Sequence, residues 1–311
     1  MGTRIKNLQV IKVADGDTIS VRLNNKNESL RLACVDTEEK PGSPKLPHTK
    51  AGQLATDMAK QYFAVSGGGL VKVDIEFDTD DPVDVCVVKH RDNFGRLLCY
   101  VHKHTDNFNL KLIQEGWSPY FIKYGRSRVY HRSFAEAEAN AQAINVIIWD
   151  DMTNAGGPSR DYTLLTPWWA ARDGIVHDYR QLGPAANILS VRLDYQKILD
   201  ASQTGAVLTI LCDLQDGITR RIGDAALIKA GSDVHRFNLW LPDTTTDNGV
   251  SIISLIQKRY VAFQQGVEEI GGRGYAYVTG PIGQHRGIPQ IVLDTHAQIA
   301  DFPPVSRGAQ S

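Results

Sequence analysis

Between Asp17 and Leu23 the chain alternates, with Thr18, Ser20 and Arg22 on one side and Ile19, Val21 and Leu23 on the other. A two-residue period is the pattern of a half-buried strand. The run Leu30 to Val35 reads as its partner, and Asn24-Asn25-Lys26-Asn27 as the turn between them. Extended along the first half, this reading predicts strands near 7–14, 17–24 and 28–36 and a helix near 49–64. Strands then follow near 70–77, 84–90 and 96–102, and helices near 108–116 and 128–144. Residues 51–63 place apolar side chains at helical spacing, as for a helix packed across the mouth of a barrel. Ile144, Val146, Ile147, Ile148 and Trp149 close a first domain expected over 1–150. The class implied is α+β, mainly β.

Residues 151–160 are loop-like by composition and open a linker expected over 151–186. Thr166-Pro167 offers an N-cap and a first-turn proline. The helix predicted after it carries Trp168, Trp169, Ile175, Val176 and Tyr179, with the tryptophans as a packing anchor. From about Ile188 the pattern is again β-rich. Val207 to Leu214, Arg236 to Leu241, Gly274 to Gly280 and Ile288 to Leu293 are strand candidates, and Ile252 to Gln265 an amphipathic helix. The stretch from Gly274 to Ile299 has a small-residue turn, a Gly287-Ile288-Pro289-Gln290-Ile291-Val292 strand and a trailing Gln298-Ile299. It resembles the last hairpin of an OB-fold nucleic-acid-binding domain, which implies a second OB-fold-like barrel over 187–303. The second domain has no carboxylate–arginine set and is expected to be non-catalytic. Tyr275, Tyr277, His285 and Arg286 suit a substrate groove, whereas its slightly acidic balance suits packing or a dimer interface. Residues 304–311 are expected to form a disordered tail.

The 311 residues leave room for a second domain beyond the first. Net charge is −1, with 34 Lys and Arg against 35 Asp and Glu. Residues 1–150 hold 20 cations against 19 carboxylates and the remainder 14 against 16. Affinity for a polyanion must therefore come from a local groove, not from the field of the whole protein. The acidic run from Asp74 to Asp84 reads as a solvated strand end and loop, with a second cation site as the alternative. Cys34, Cys86, Cys99 and Cys212 lie in apolar runs without metal-ligand spacing, so buried free thiols and a reducing compartment are expected. No signal peptide or membrane span is apparent in the sequence. Cytoplasmic residence is the expectation, an exported mature form with its leader removed the alternative.

Chemistry concentrates in three stretches: Asp15-Gly16-Asp17-Thr18, Arg31 to Glu39, and Asp92-Asn93-Phe94-Gly95-Arg96. Cutting a phosphodiester requires an activated water and neutralisation of the phosphoryl oxygens. Asp17 and Asp36 offer hard oxygen ligands. A hairpin sets the start of one strand beside the end of the next, so the two can converge. Arg31 and Arg96 suit phosphate because the guanidinium fork binds two oxygens and stays charged. Between 120 and 132 lies the densest aromatic and basic segment, containing Lys123, Tyr124, Arg126 and Arg128. Stacking rings interleaved with cations are the general means of holding single strands.

The order and spacing of these stretches resemble the staphylococcal nuclease family, which implies that the first domain is a five-stranded, OB-type Greek-key barrel with helices. The resemblance implies that Asp17, Asp36 and the backbone carbonyl of Thr37 ligate calcium, with magnesium a poorer substitute. It implies Glu39 as general base, Arg31 and Arg96 as phosphate clamps, and Tyr124 and its neighbours beside the nucleotide. It implies hydrolysis of DNA or RNA at the 5′ P–O bond, leaving 3′-phosphates. The chain departs from the family in two places. Glu38 replaces the usual proline, so a second carboxylate competes as base or ligand. Asn93 and Phe94 replace a lysine and a tyrosine, so Phe94 can stack on a base but has no hydroxyl.

The leading function is thus a calcium-dependent, sugar-nonspecific nuclease acting on single-stranded DNA, RNA or duplex DNA. A catalytically silent nucleic-acid or protein scaffold is the alternative, disfavoured because Asp17, Asp36, Glu39, Arg31 and Arg96 are all present. A regulated nuclease of narrow substrate range is a third reading. The oligomeric state is open, with a dimer through the second domain as one form.

Overall fold

The computed structural model describes residues 1–40, 49–65, 69–150, 160–183, 186–265 and 268–304. The chain forms two compact units, Met1–Tyr162 and Thr163–Ser311. The expected tail over 304–311 lies almost wholly outside the described residues, as does most of the loop-like stretch 151–160.

The first unit runs β1 (Arg4–Val13), β2 (Thr18–Leu23), β3 (Lys26–Leu32), α1 (Lys50–Phe63), the short β4 (Ala64–Val65) and β5 (Gly69–Leu70), and β6 (Lys72–Glu76). It continues through α2 (Val83–Lys89), β7 (Leu97–Lys103), β8 (Asp106–Asn107), α3 (Phe108–Gln114), α4 (His131–Ala143) and a 3-10 turn at Ile147–Trp149. The strands pair in the order β3-β2-β1-β6-β7, and a parallel β3–β7 pairing closes them into a five-stranded barrel. Alternation explains the closure. Val10, Ile19, Val21, Leu30, Leu32, Val73, Ile75, Leu97, Cys99 and Val101 all point inward and are buried. Each fully buried Leu, Ile or Val contributes about 1.5–3 kcal/mol, and a one-residue slip of register would turn a strand's whole set outward.

One predicted strand is a helix. Residues 84–90 were expected to be extended because Val83, Val85, Val87 and Val88 favour strands, but they form α2, of which Cys86 is the buried residue. Pro82 precedes the helix in an extended conformation that ends any strand leading into it, and Asp84 in the first turn complements the helix dipole, which together outweigh β-branching here. The acidic run is also not simply solvated. Glu76 is buried among Arg4, His102 and Tyr130. Asp78 accepts the backbone N–H groups of Arg128 and Val129.

The second unit holds α5 (Tyr162–Leu182, its first residue belonging to the first unit), β9 (Ile188–Ser190), α6 (Tyr195–Ser202), β10 (Val207–Asp213), β11 (Ile218–Ile222), β12 (Ala225–Lys229) and β13 (Asn238–Leu241). Then come α7 (Asp247–Leu255), a π-helical turn (Ile256–Tyr260), β14 (Phe263–Gln265), β15 (Glu268–Ile270), β16 (Tyr275–His285), β17 (Ile288–Val292), a 3-10 turn (His296–Gln298) and β18 (Ile299–Ala300). Its main sheet has the order β11-β12-β13-β17-β16-β10-β9. A second sheet is thus present: β13 and β17 pair in parallel, and Asp213 N at the end of β10 donates to Ala230 O, just past β12, at 3.3 Å. The helix predicted to begin at Thr166-Pro167 starts earlier, with Pro167 inside it. Trp169 is buried, and Trp168 Nε1 donates to Gly272 O at 3.0 Å, an anchor within this unit. Tyr275 and Tyr277 do not line a groove. They are buried against Ile175, Val176 and Tyr179 of α5. All four cysteines are free thiols, and no helix among the described residues is long and apolar enough to cross a membrane.

Candidate active site

The site grows from the β2–β3 hairpin. Thr18 pairs with Arg31 across the ladder, and Leu32 N donates to Asp17 O at 2.9 Å, so Asp17 stands beside the end of β3. Past β3 the chain turns through Cys34 in the left-handed region (φ 62°). Val35 then bridges to Tyr120, and Asp36 N donates to Ser118 Oγ at 2.7 Å. Asp36 is thereby returned toward Asp17, nineteen positions earlier in the chain.

Arg31 lies between the two carboxylates. Its Nη1 stands 2.5 Å from Asp17 Oδ2, and its Nη2 donates to Asp36 Oδ1. Asp17 also accepts Thr37 N at 3.0 Å on Oδ2 and the Thr18 hydroxyl at 3.0 Å on Oδ1. Burial pushes the Asp17 carboxyl up, to about 7, against the pull of Arg31 and with the Asp15 and Asp36 charges adding to the rise. Burial also acts to raise Asp36, but Arg160 and then Arg31 overcome it and hold this carboxyl below its usual value. Arg160 was not foreseen. Its Nη1 stands 2.5 Å from Asp36 Oδ2, and its only sequence context was a loop-like stretch.

The second clamp comes from the β7 approach. Asp92 Oδ1 accepts Phe94 N and Arg96 N at 2.9 Å each, while its Oδ2 takes Arg96 Nε at 2.6 Å. Arg96 Nη1 donates to Thr18 Oγ1 at 3.1 Å, and that hydroxyl donates onward to Asp17. The two arginines predicted as clamps therefore converge on Asp17, one directly and one through Thr18. Phe94 is 74% exposed, with the Arg96 guanidinium 5.3 Å from its ring centroid.

Glu38 and Glu39 differ sharply. Glu38 is 3% exposed, and its Oε1 accepts the Tyr162 hydroxyl at 3.3 Å. Burial pushes its carboxyl up, partly offset by Thr49, Arg160 and Tyr162. Glu39 is half-buried, and its carbonyl accepts Thr49 N at 3.1 Å. Thr49 caps α1 by accepting Gly52 N. Gly52 itself lies against this loop: a Cβ there would come within 2.2 Å of Glu39 O and 2.6 Å of Glu38 O. Only glycine allows the first turn of α1 to approach so closely.

Of the 120–132 segment, Lys123 lies over the Tyr124 ring at 5.7 Å, and its charge helps to lower Asp36. Tyr124 stands edge-on to Phe121 at 5.8 Å. Arg126 is half-buried. Arg128 is exposed, and its backbone N–H is committed to Asp78. The segment is braced from behind by Glu138, which accepts Tyr120 N at 2.8 Å.

The donor set suits a hard divalent cation in kind: two carboxylates converge on one guanidinium, and burial, with the Asp15 and Asp36 charges adding to it, disfavours the charged form of Asp17, a cost that such an ion relieves. Among the described residues no group of three or more His, Cys, Asp or Glu side chains is arranged to hold a metal. An ion here would rest on two carboxylates supplemented by backbone and water oxygens.

The first half of the chain is similar to known proteins. Residues 29–151 match the family model described as staphylococcal nuclease homologue. The chain is 33% identical over 146 residues to a thermonuclease of Staphylococcus hyicus, an alignment covering 46% of this chain and 75% of that protein. It is 29% identical over 156 residues to the endonuclease YncB of Bacillus subtilis (strain 168), covering 49% and 67%. Against a thermonuclease of Staphylococcus intermedius the identity is 31% over 143 residues, covering 45% and 74%.

Proposed function

The chain belongs to the staphylococcal nuclease family, and on that premise we propose that it is a calcium-dependent nuclease that hydrolyses DNA, RNA or both and leaves 3′-phosphates. The observation that carries the reading is the linked set Arg31–Asp17–Thr18–Arg96, two guanidiniums joined to one buried carboxylate. Asp17, Asp36 and the Thr37 carbonyl would hold the calcium ion, with magnesium a poorer substitute. The bound ion supplies charge neutralisation and lowers the cost of forming hydroxide from water.

The chain's own residues do the rest. Arg31 and Arg96 bind the phosphate oxygens and stabilise the charge that builds up as water attacks the phosphorus in line. Glu39, at the rim of the carboxylate loop, takes the proton from that water. Glu38 is the weaker candidate because its carboxyl is buried under Tyr162. Phe94 stacks on a base, and Lys123, Tyr124, Arg126 and Arg128 line the approach of the strand. Contacts of this kind position a backbone without reading sequence.

A silent scaffold is the second reading, favoured by one observation: both oxygens of Asp36 already meet arginines. The deciding experiment is cleavage of plasmid, single-stranded DNA and structured RNA with calcium, magnesium or chelator, with Glu39→Gln as control. Cutting that needs calcium and is lost in the variant supports the nuclease. Absence of cutting by folded protein favours the scaffold.

A further inference from the structure

The second unit is slightly acidic in composition, with 13 cations against 14 carboxylates over 163–311. Yet four of its cations gather around one cleft of about 340 Å³. Arg172 and Ile175 of α5 line one side, Lys258 and Arg259 of the π-helical turn another, and Gly272 and Arg273 the third. The π-helical turn turns Ile256 and Tyr260 into the core, which leaves Lys258 and Arg259 exposed.

Two carboxylates hold the three arginines in place. Arg172 Nη2 pairs with Asp213 at 2.6 Å. Asp301 takes Arg259 Nε at 2.8 Å and stands 3.5 Å from Arg273 Nε. Arg273 Nη2 is anchored on the Asp301 carbonyl at 2.5 Å. Arg172 is buried with Asp213 in the cleft wall, and the cations that reach the surface are Lys258, Arg259 and Arg273, grouped around Asp301. A guanidinium has five N–H donors, so at Arg259 and Arg273 the shared Asp301 fixes the direction of each fork and uses only part of its donors.

An aromatic stands beside the charge. Phe302 is 71% exposed, and the Arg273 guanidinium lies 5.3 Å from its ring centroid. An exposed ring stacked on a cation, next to a basic cleft, combines the two elements of single-strand binding: backbone neutralisation and a base-stacking platform.

We propose that this cleft binds the phosphodiester backbone of a single nucleic-acid strand, with a base stacked on Phe302. The proposal rests on the nuclease reading for its choice of ligand. Its volume is at the small end for a ligand site and suits one nucleotide and its flanking phosphate.

The test uses the full chain carrying Glu39→Gln in chelator, with a fluorescent single-stranded oligonucleotide followed by anisotropy across a salt series. Lys258→Ala should weaken binding about five- to tenfold and reduce the salt slope by about 0.7, the value for one phosphate contact on a single strand. Phe302→Ala should weaken binding by a similar factor with the slope unchanged, because stacking releases no counterions. Lys229→Ala, on β12 and away from the cleft lining, should change neither. Affinity and slope unaltered in both cleft variants overturn the proposal. Displacement of the strand by inorganic phosphate at equal phosphate concentration also overturns it, leaving a site for free anions. Cleavage by the unaltered chain is measured alongside: cutting with no effect of Lys258→Ala removes the cleft alone, whereas strand binding lost in Lys258→Ala without any cutting removes the nuclease reading alone.

Discussion

Arg160 Nη1 stands 2.5 Å from Asp36 Oδ2, on the oxygen that Arg31 leaves open. This cation comes from beyond the 29–151 stretch that matches the family. It competes for the oxygen through which Asp36 would ligate a metal. Arg160→Ala is expected to tighten calcium binding about tenfold, or 1.4 kcal/mol, as read by calorimetric titration. Weaker binding in the variant would mean that Arg160 orients Asp36 for the ion.

Glu39→Gln should lower kcat by about 10²–10⁴, the usual worth of a general base, with KM little changed. Glu38→Gln keeps an acceptor for the Tyr162 hydroxyl and should cost less than about tenfold. Steady-state kinetics on one oligonucleotide separates them. An equal loss in Glu38→Gln moves the base to Glu38.

Gly52→Ala should disturb the same loop from the helix side. The new methyl would meet Glu39 O and Glu38 O, backbone atoms that cannot rotate away. Overpacking of this sort costs about 1–3 kcal/mol, and the variant should lose turnover out of proportion to its drop in Tm. Wild-type kinetics in Gly52→Ala would show that the loop yields without moving Glu39.

Glu138 gives a pH dependence. Burial pushes its carboxyl from 4.5 up to about 7, against the lowering effect of the Tyr120 N–H. Between those values the folded state keeps a proton that the unfolded chain has released. Stability therefore falls as pH rises through that window, by at most about 3 kcal/mol. Glu138→Gln retains a carbonyl acceptor for Tyr120 N and should remove this loss. Urea unfolding at pH 5 and pH 8 decides the matter: the same fall in both proteins assigns the dependence to other groups.

The barrel was legible because its inward residues alternate, from Val10 through Val101, and alternation is a property of sequence alone. The central site residues were legible because Asp17, Arg31, Asp36 and Arg96 sit in short motifs at the ends of those strands. What was hidden depends on long-range packing. Cys86 is buried as part of a helix although four valines around it favour a strand. Tyr275 and Tyr277 look like groove residues until α5 covers them. Arg160 stands in a stretch with no periodicity, and only the folded chain brings it to Asp36. Strand β11, with Arg220 and Arg221 exposed, lacked the apolar signal that would have revealed it, whereas the apolar β12 is too short and too alanine-rich to show a strand period.

The parallel seam between β3 and β7 sets Arg31 opposite Leu98, two residues beyond Arg96. The two guanidiniums, 65 positions apart in the chain, thus share one span of backbone ladder that exists only when the barrel is shut. A partly folded chain with an intact β1–β2–β3 meander would carry Asp17 and Arg31 but have nowhere to place Arg96. Enzymatic competence then becomes an assay of ring closure: during refolding it should appear with the last strand to join, and amide exchange along Leu30–Leu32 should track its loss.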